Sequence, residues 1–210
     1  MSDEGGRREG GGVLTPELVL AAYRQGLFPM AEGRAGEIGW YGASRRALIP
    51  LDERFRVRRS LRRALNRGGV RIAVDTAFDE VIRACSRHTS EGDDGGVWLS
   101  EELIALYREL HRHGHVHSVE IWRDDRLIGG LYGVVIGAAF CGESMFSREP
   151  FASQIALVAL VERLRARGFL LLDAQMMSEH LAQFGAYTVT HTGYLYLLAR
   201  ALAAREVRFA

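Results

Sequence analysis

Three short apolar runs set end to end constrain this chain more than any other feature. "HVHSVEIW", "RLIGGLYGVV" and "AAFCGESMF" occupy residues 115–146, with turns at Asp124-Asp125 and Ile136-Gly137. Runs rich in valine, isoleucine and aromatic residues, bounded by Asp or Gly, read as strands. A connection this short can only reverse the chain, because parallel neighbours need a crossover of a dozen or more residues. The region therefore predicts an antiparallel meander.

The residues after the meander extend that sheet. Residues 151–167 predict a long amphipathic helix, "FLLLDAQ" (169–175) a buried strand, 177–184 a short helix, 187–190 a strand and 192–204 a last helix. Upstream, 57–66 predicts a helix, 70–74 a strand and 76–87 a helix, then the loop 88–96 and a helix capped by Ser100 and stopped by Gly114. A meander followed by helix, strand, helix and strand is the order of an α+β acyltransferase fold (GNAT-like), whose mixed, largely antiparallel sheet is flanked by helices.

The beginning of the chain reads differently. Residues 1–12, glycine-rich and charged, are expected to be disordered. A helix starts at Thr15-Pro16-Glu17 and can end at Gly26. "GLFPM" and the Gly/Arg-rich stretch to 47 read as loop, so residues 13–55 are assigned to a small, irregular N-terminal domain and 56–210 to the larger domain.

Composition removes several kinds of chemistry. All 27 basic residues are arginine, so a Schiff-base lysine and a phosphate-loop lysine are both absent. Net charge is +1, and contact with a polyanion needs a local patch. Cys85 and Cys141 lack metal or redox spacing and read as buried thiols in a reducing compartment. No secretion signal or membrane-spanning run is visible, which points to the cytoplasm.

Several groups are candidates for function. The run "HRHGHVH" (111–117) offers imidazoles but no acid or thiol at obvious ligand spacing, so a structural role is set beside a metal site. Arg59, Arg62, Arg63 and Arg67 share helical spacing and form a basic stripe that suits phosphates, or a solvated face. Trp40, Tyr41 and Trp98 lie beside glycines in predicted loops, where they can pack a hinge or stack an unpaired base. Glu143 ends one strand. Asp173 interrupts another, with Gln175 on the same face. A buried acid needs partners or a task. The junction "SMFSREPFASQIA" has no glycine with which to cradle a coenzyme A pyrophosphate.

"AAYRQGLFPM", "HGHVHSVEIWRDDRLIGGLYGV", "FCGESMFSR" and "LLDAQMMSEHLAQFGA" together closely resemble the leucyl/phenylalanyl-tRNA–protein transferase family, from about Leu14 to the last helix. The resemblance implies an enzyme, acting as a monomer, that moves leucine, phenylalanine or methionine from aminoacyl-tRNA to proteins beginning with arginine or lysine, marking them for degradation. It implies no ATP, metal or coenzyme A. By the same resemblance, Asp173 and Gln175 are the catalytic pair, with Asp173 polarising the Gln175 amide, and Glu143 receives the acceptor's basic residue; an arrangement in which Gln175 orients the amine and Asp173 stabilises developing charge is equally physical. Leu131, Phe140, Leu157, Leu160, Leu164 and Leu172 form the aminoacyl pocket. Trp98, with Trp40 or Tyr41, holds the terminal adenosine, and Arg59, Arg62, Arg63 and Arg67 touch the tRNA stem. Met30 stands where the family often has tryptophan, and Ala174 where it has cysteine. Two other readings are a coenzyme-A-dependent N-acetyltransferase and a non-catalytic tRNA-binding module.

Overall fold

The computed structural model describes residues 6–8, 14–33, 37–88, 99–204 and 207–210. Helix α1 (Pro16–Arg24) begins as its sequence requires, with Thr15 Oγ1 accepting the Leu18 N–H at 3.3 Å and proline in the first turn. The stretch expected to be loop instead folds into strands. β1 (Gly6–Arg8), β2 (Phe28–Ala31) and β3 (Ile38–Gly42) make a three-stranded antiparallel sheet in the order β1-β3-β2. These strands are short and carry glycine or proline, so they imitate loop sequence. Pro29 is tolerated because β2 is an edge strand. β1 lies inside the tail expected to be disordered; the rest of residues 1–12 lies outside the described residues.

The larger sheet has seven strands in the order β10-β4-β9-β8-β7-β6-β5. They are β4 (Arg45–Ile49), β5 (Arg71–Val74), β6 (Val116–Arg123), β7 (Arg126–Ile136), β8 (Ala139–Ser147), β9 (Leu171–Gln175) and β10 (Tyr187–Thr190). The expected meander is β6-β7-β8, turning at Asp124 (φ 50°) and Gly137 (φ 55°). Among the described residues only β8 and β9 pair in parallel, and the sixteen-residue helix α5 makes the crossover between them. The α+β class and the mixed, largely antiparallel sheet are as the sequence predicts. β4 comes from the segment assigned to the small domain, yet it pairs with both β9 and β10.

Six further helices lie among the described residues: α2 (Arg59–Arg67), α3 (Phe78–His88), α4 (Glu101–Arg112), α5 (Ala152–Arg167), α6 (Glu179–Ala182) and α7 (His191–Ala203). One apolar cluster joins α1, α3, α4 and α7 to the sheet through Val19, Ile82, Leu103, Tyr107, Val134 and Leu198. The other packs α5 against β6, β7 and β8 through Ile121, Phe140, Ile155, Leu160 and Val161. Burial on both sides explains why β7 is apolar almost throughout instead of alternating. Gly129 lets α5 approach this closely, since a Cβ there would stand 2.5 Å from that of Ala152. Among the described residues, no helix is long and apolar enough to cross a membrane.

Candidate active site

The parallel register places Cys141 of β8 opposite Asp173 of β9, so the ends of the two strands lie side by side. Two residues beyond that pair, Gln175 Nε2 donates to Glu143 Oε1 at 2.9 Å. Tyr107, from α4, donates to Glu143 Oε2 at 3.1 Å, and its hydroxyl is 3.0 Å from that of Tyr23 on α1. Burial pushes the Glu143 carboxyl up to about 7, against the pull of the donors Tyr23, Tyr107 and Gln175, and the Asp173 charge adds to the rise. No described cation forms an ion pair with Glu143.

Asp173 is answered in full. It is 0% exposed and accepts from Arg46 Nε (2.9 and 3.0 Å), Arg46 Nη2 (2.7 Å), the Tyr194 hydroxyl (2.8 Å) and the Gln175 backbone N–H (2.8 Å). The resemblance implied that Asp173 polarises the Gln175 amide. Geometry assigns that contact to Glu143, and Asp173 holds the Gln175 main chain instead. Gln175 has φ 60°, a left-handed conformation that few non-glycine residues adopt, so the site holds it under local strain.

A cavity of about 280 Å³ opens beside these groups. Leu131, Leu157, Leu160 and Leu172 line it, together with Glu143, Asp173, Ile49 and Met145. Phe140 and Leu164 do not. Both are 0% exposed and belong to the core behind the wall, with Phe140 5.2 Å from the Phe209 ring. Strand and helix periodicity marks a buried face without distinguishing wall from core, which is why the sequence groups these two with the pocket. The cavity is an apolar slot with Glu143 at its edge, a carboxylate hydrogen-bonded to Gln175 and Tyr107 but without a cation among the described residues.

Comparison with known proteins gives this arrangement its place. The family model for leucyl/phenylalanyl-tRNA protein transferase matches residues 48–199, and the model for the N-terminal domain of that family matches residues 12–43. The chain belongs to the leucyl/phenylalanyl-tRNA–protein transferase family. It is 51% identical over 189 residues to the leucyl/phenylalanyl-tRNA–protein transferase of Herpetosiphon aurantiacus, covering 90% of this chain and 95% of that one. The transferase of the same name from Akkermansia muciniphila is 52% identical over 90% of this chain and 96% of its own. That of Chlorobaculum tepidum is 47% identical over 90% and 96%. The chain is therefore an aminoacyltransferase.

The transferase carries a second concavity, of about 530 Å³, just past Gln175. Phe28, Met30, Tyr41, Arg45, Met176 and Met177 line it. Tyr41 sits on β3 and also donates to Glu32. Trp40, expected from sequence to be a loop aromatic, is on the same strand but only 7% exposed and part of the core, so it has no free face for stacking. Trp98 lies outside the described residues. The stripe of Arg59, Arg62, Arg63 and Arg67 is exposed on α2, while Leu61 anchors that helix in the core around α5. None of the four arginines forms an ion pair with a described residue.

Two of the four histidines in the run are held by local partners. His117 Nδ1 is 2.6 Å from Asp75 Oδ2 and its Nε2 is 3.1 Å from the Gly114 carbonyl, while His111 Nδ1 meets the Val116 carbonyl at 2.8 Å.

Sequence reading missed four site residues: Arg46, Tyr194, Tyr23 and Tyr107. Arg46 had a legible signal. It is a charge flush against the apolar "ALI" (47–49), and the buried Asp173 required some such cation. The tyrosines sit among apolar helix positions, where nothing local separates a core ring from a hydrogen-bond donor.

Proposed function

We propose that this transferase moves leucine, phenylalanine or methionine from aminoacyl-tRNA to the N-terminal α-amine of proteins that begin with arginine or lysine. It acts as a cytoplasmic monomer and thereby marks those proteins for degradation. The observation that carries the reading is Glu143. It is a carboxylate without a cation among the described residues, at the edge of an apolar slot and hydrogen-bonded to Gln175. The slot takes the unbranched or γ-branched side chain of the donor. Glu143 takes the cationic side chain of the acceptor through charge-assisted hydrogen bonds.

In the reaction, the acceptor nitrogen forms a bond to the ester carbonyl carbon. The bond from that carbon to the ribose oxygen breaks, and the amine's proton ends on the released tRNA hydroxyl. The aminoacyl ester supplies the driving force, which is why no ATP, metal or coenzyme A enters. Gln175 gives its NH₂ to Glu143, which leaves its carbonyl oxygen to orient the incoming amine. Asp173 is not placed to take a proton, since Arg46 and Tyr194 occupy it. The concavity lined by Tyr41 and Met30 receives the terminal adenosine, with Trp98, and the α2 arginines meet phosphates of the stem. The small N-terminal domain and the transfer domain divide near residue 44, because β4 is built into the large sheet.

The test is transfer of labelled amino acids from charged tRNA to a peptide that begins with arginine. Leucine, phenylalanine and methionine are transferred. β-Branched valine and isoleucine have kcat/KM lower by about tenfold or more, the scale on which an apolar pocket discriminates shape. Absence of leucine transfer would overturn the reading.

A further inference from the structure

We infer that Arg46 and Tyr194 are positioning residues of the transfer reaction: through Asp173 they lock the Gln175 backbone in the one conformation that presents its side chain to Glu143. The inference rests on Gln175 acting on the acceptor amine, the role proposed for it in transfer. Arg46 is 1% exposed and cannot reach solvent, so it can pair only inside the protein. Its guanidinium lies between the rings of Phe28 and Tyr194, at 4.7 and 4.6 Å from their centroids, and Nη1 donates to the Gly26 carbonyl at 3.1 Å. Each face and edge of the group is thus fixed by a different element: β2, α7 and the turn after α1. The fork grips Asp173 through both Nε and Nη2, a geometry that sets orientation as well as distance.

The next link is the strained one. Asp173 Oδ1 accepts the Gln175 N–H at 2.8 Å, and Gln175 has φ 60°. β4 and β9 shift register at this point: Leu48 faces Asp173 and Ala47 faces Gln175, so Ala174 is left without a partner and Gln175 is the last pair beyond the irregularity, where the ladder alone does not impose φ 60°. Without an external hold, the residue would relax toward ordinary extended backbone and swing its amide away from Glu143. Asp173 supplies that hold, and Arg46 with Tyr194 keeps Asp173 from turning. Asp173 is then a fixed anchor, and its role is geometric rather than proton transfer.

Tyr194→Phe removes one hydrogen bond at constant ring packing, and Arg46→Lys keeps the charge while removing the fork. Each lowers kcat about tenfold in the wild-type background with little change in KM for either substrate. In a Gln175→Ala background each costs less than about twofold, because there is no longer a side chain to position. Equal losses in the two backgrounds would overturn the inference and show a general structural role.

A second measurement does not depend on residual activity. The Gln175 side-chain NH₂, assigned by its disappearance in Gln175→Ala, shows two well-separated proton shifts in the wild type. In Tyr194→Phe and Arg46→Lys these collapse toward free-amide values. Unchanged shifts in folded variants would contradict the lock. Failure of the wild-type protein to transfer leucine at all would instead count against the proposed function, so the two failures are distinguishable.

Discussion

At the scale of single residues, the site works by giving two neighbouring carboxylates opposite environments. Asp173 is buried and fully paired, whereas Glu143 is partly buried with only neutral donors among the described residues. Glu143 therefore titrates near neutrality, at about 7 against its ordinary 4.5. Because its folded pKa is raised, its favourable contribution to stability is complete below about 4.5 and is lost as pH climbs through about 7. Thermal melts of Glu143→Gln and wild type should diverge over that window, with the variant gaining relative stability as pH rises. In the acceptor-binding role proposed for Glu143, activity runs the other way, because a cationic acceptor needs the ionised form. The ratio of wild-type to Glu143→Gln kcat/KM for an arginine peptide should climb across pH 7, and a flat ratio would remove Glu143 from acceptor binding. If the slot takes the donor side chain as proposed, Leu160→Phe fills space that a phenylalanyl group needs. Steady-state kinetics should show kcat/KM for phenylalanine donors falling about tenfold more than for leucine donors.

Among the elements, α2 is where charge and packing separate cleanly. Leu61 faces in, while Arg59, Arg62 and Arg63 face out without ion-pair partners among the described residues. Replacing those three arginines with glutamine should weaken tRNA binding and reduce the slope of log K against log salt by about 2 to 3, the loss expected when each arginine releases about one counterion. A filter-binding titration at several salt concentrations measures it, and an unchanged slope would move the tRNA contacts elsewhere. The helices and the meander were legible because their signals are local: a threonine cap, a glycine stop, two-residue turns. β2, β3 and β4 were not, since their glycines, proline and arginines imitate loop sequence and the strands are held by partners elsewhere in the chain, such as Gln175 for Ala47 and Tyr41 for Phe28.

Over the whole molecule, the site exists because remote segments converge on the ends of β8 and β9. Tyr23, Arg46, Tyr107 and Tyr194 arrive from α1, β4, α4 and α7, and no sequence window contains more than one of them. The acids and the amide were legible as chemistry out of place in apolar strands. Their pairing was not, because it depends on the parallel β8–β9 register set by α5. The end of the chain contributes to stability by the same logic. Phe209 packs against His117, Phe140 and Phe169, and its carbonyl accepts from Arg163 at 2.6 Å. Phe209→Ala should destabilise the fold by about 3–5 kcal/mol in denaturant titrations while leaving KM for charged tRNA unchanged at permissive temperature.

Acceptor selection by Glu143 is the central claim, and one comparison tests it most directly. Leucine transfer is measured to two peptides that differ only in arginine or citrulline at the first position, with wild-type protein and with Glu143→Gln. The wild type should favour arginine by about tenfold or more, the worth of a hydrogen bond to a charged group, and the variant should bring the two acceptors within about threefold. Equal preference for arginine in both proteins would contradict the assignment of Glu143 and place acceptor selection elsewhere.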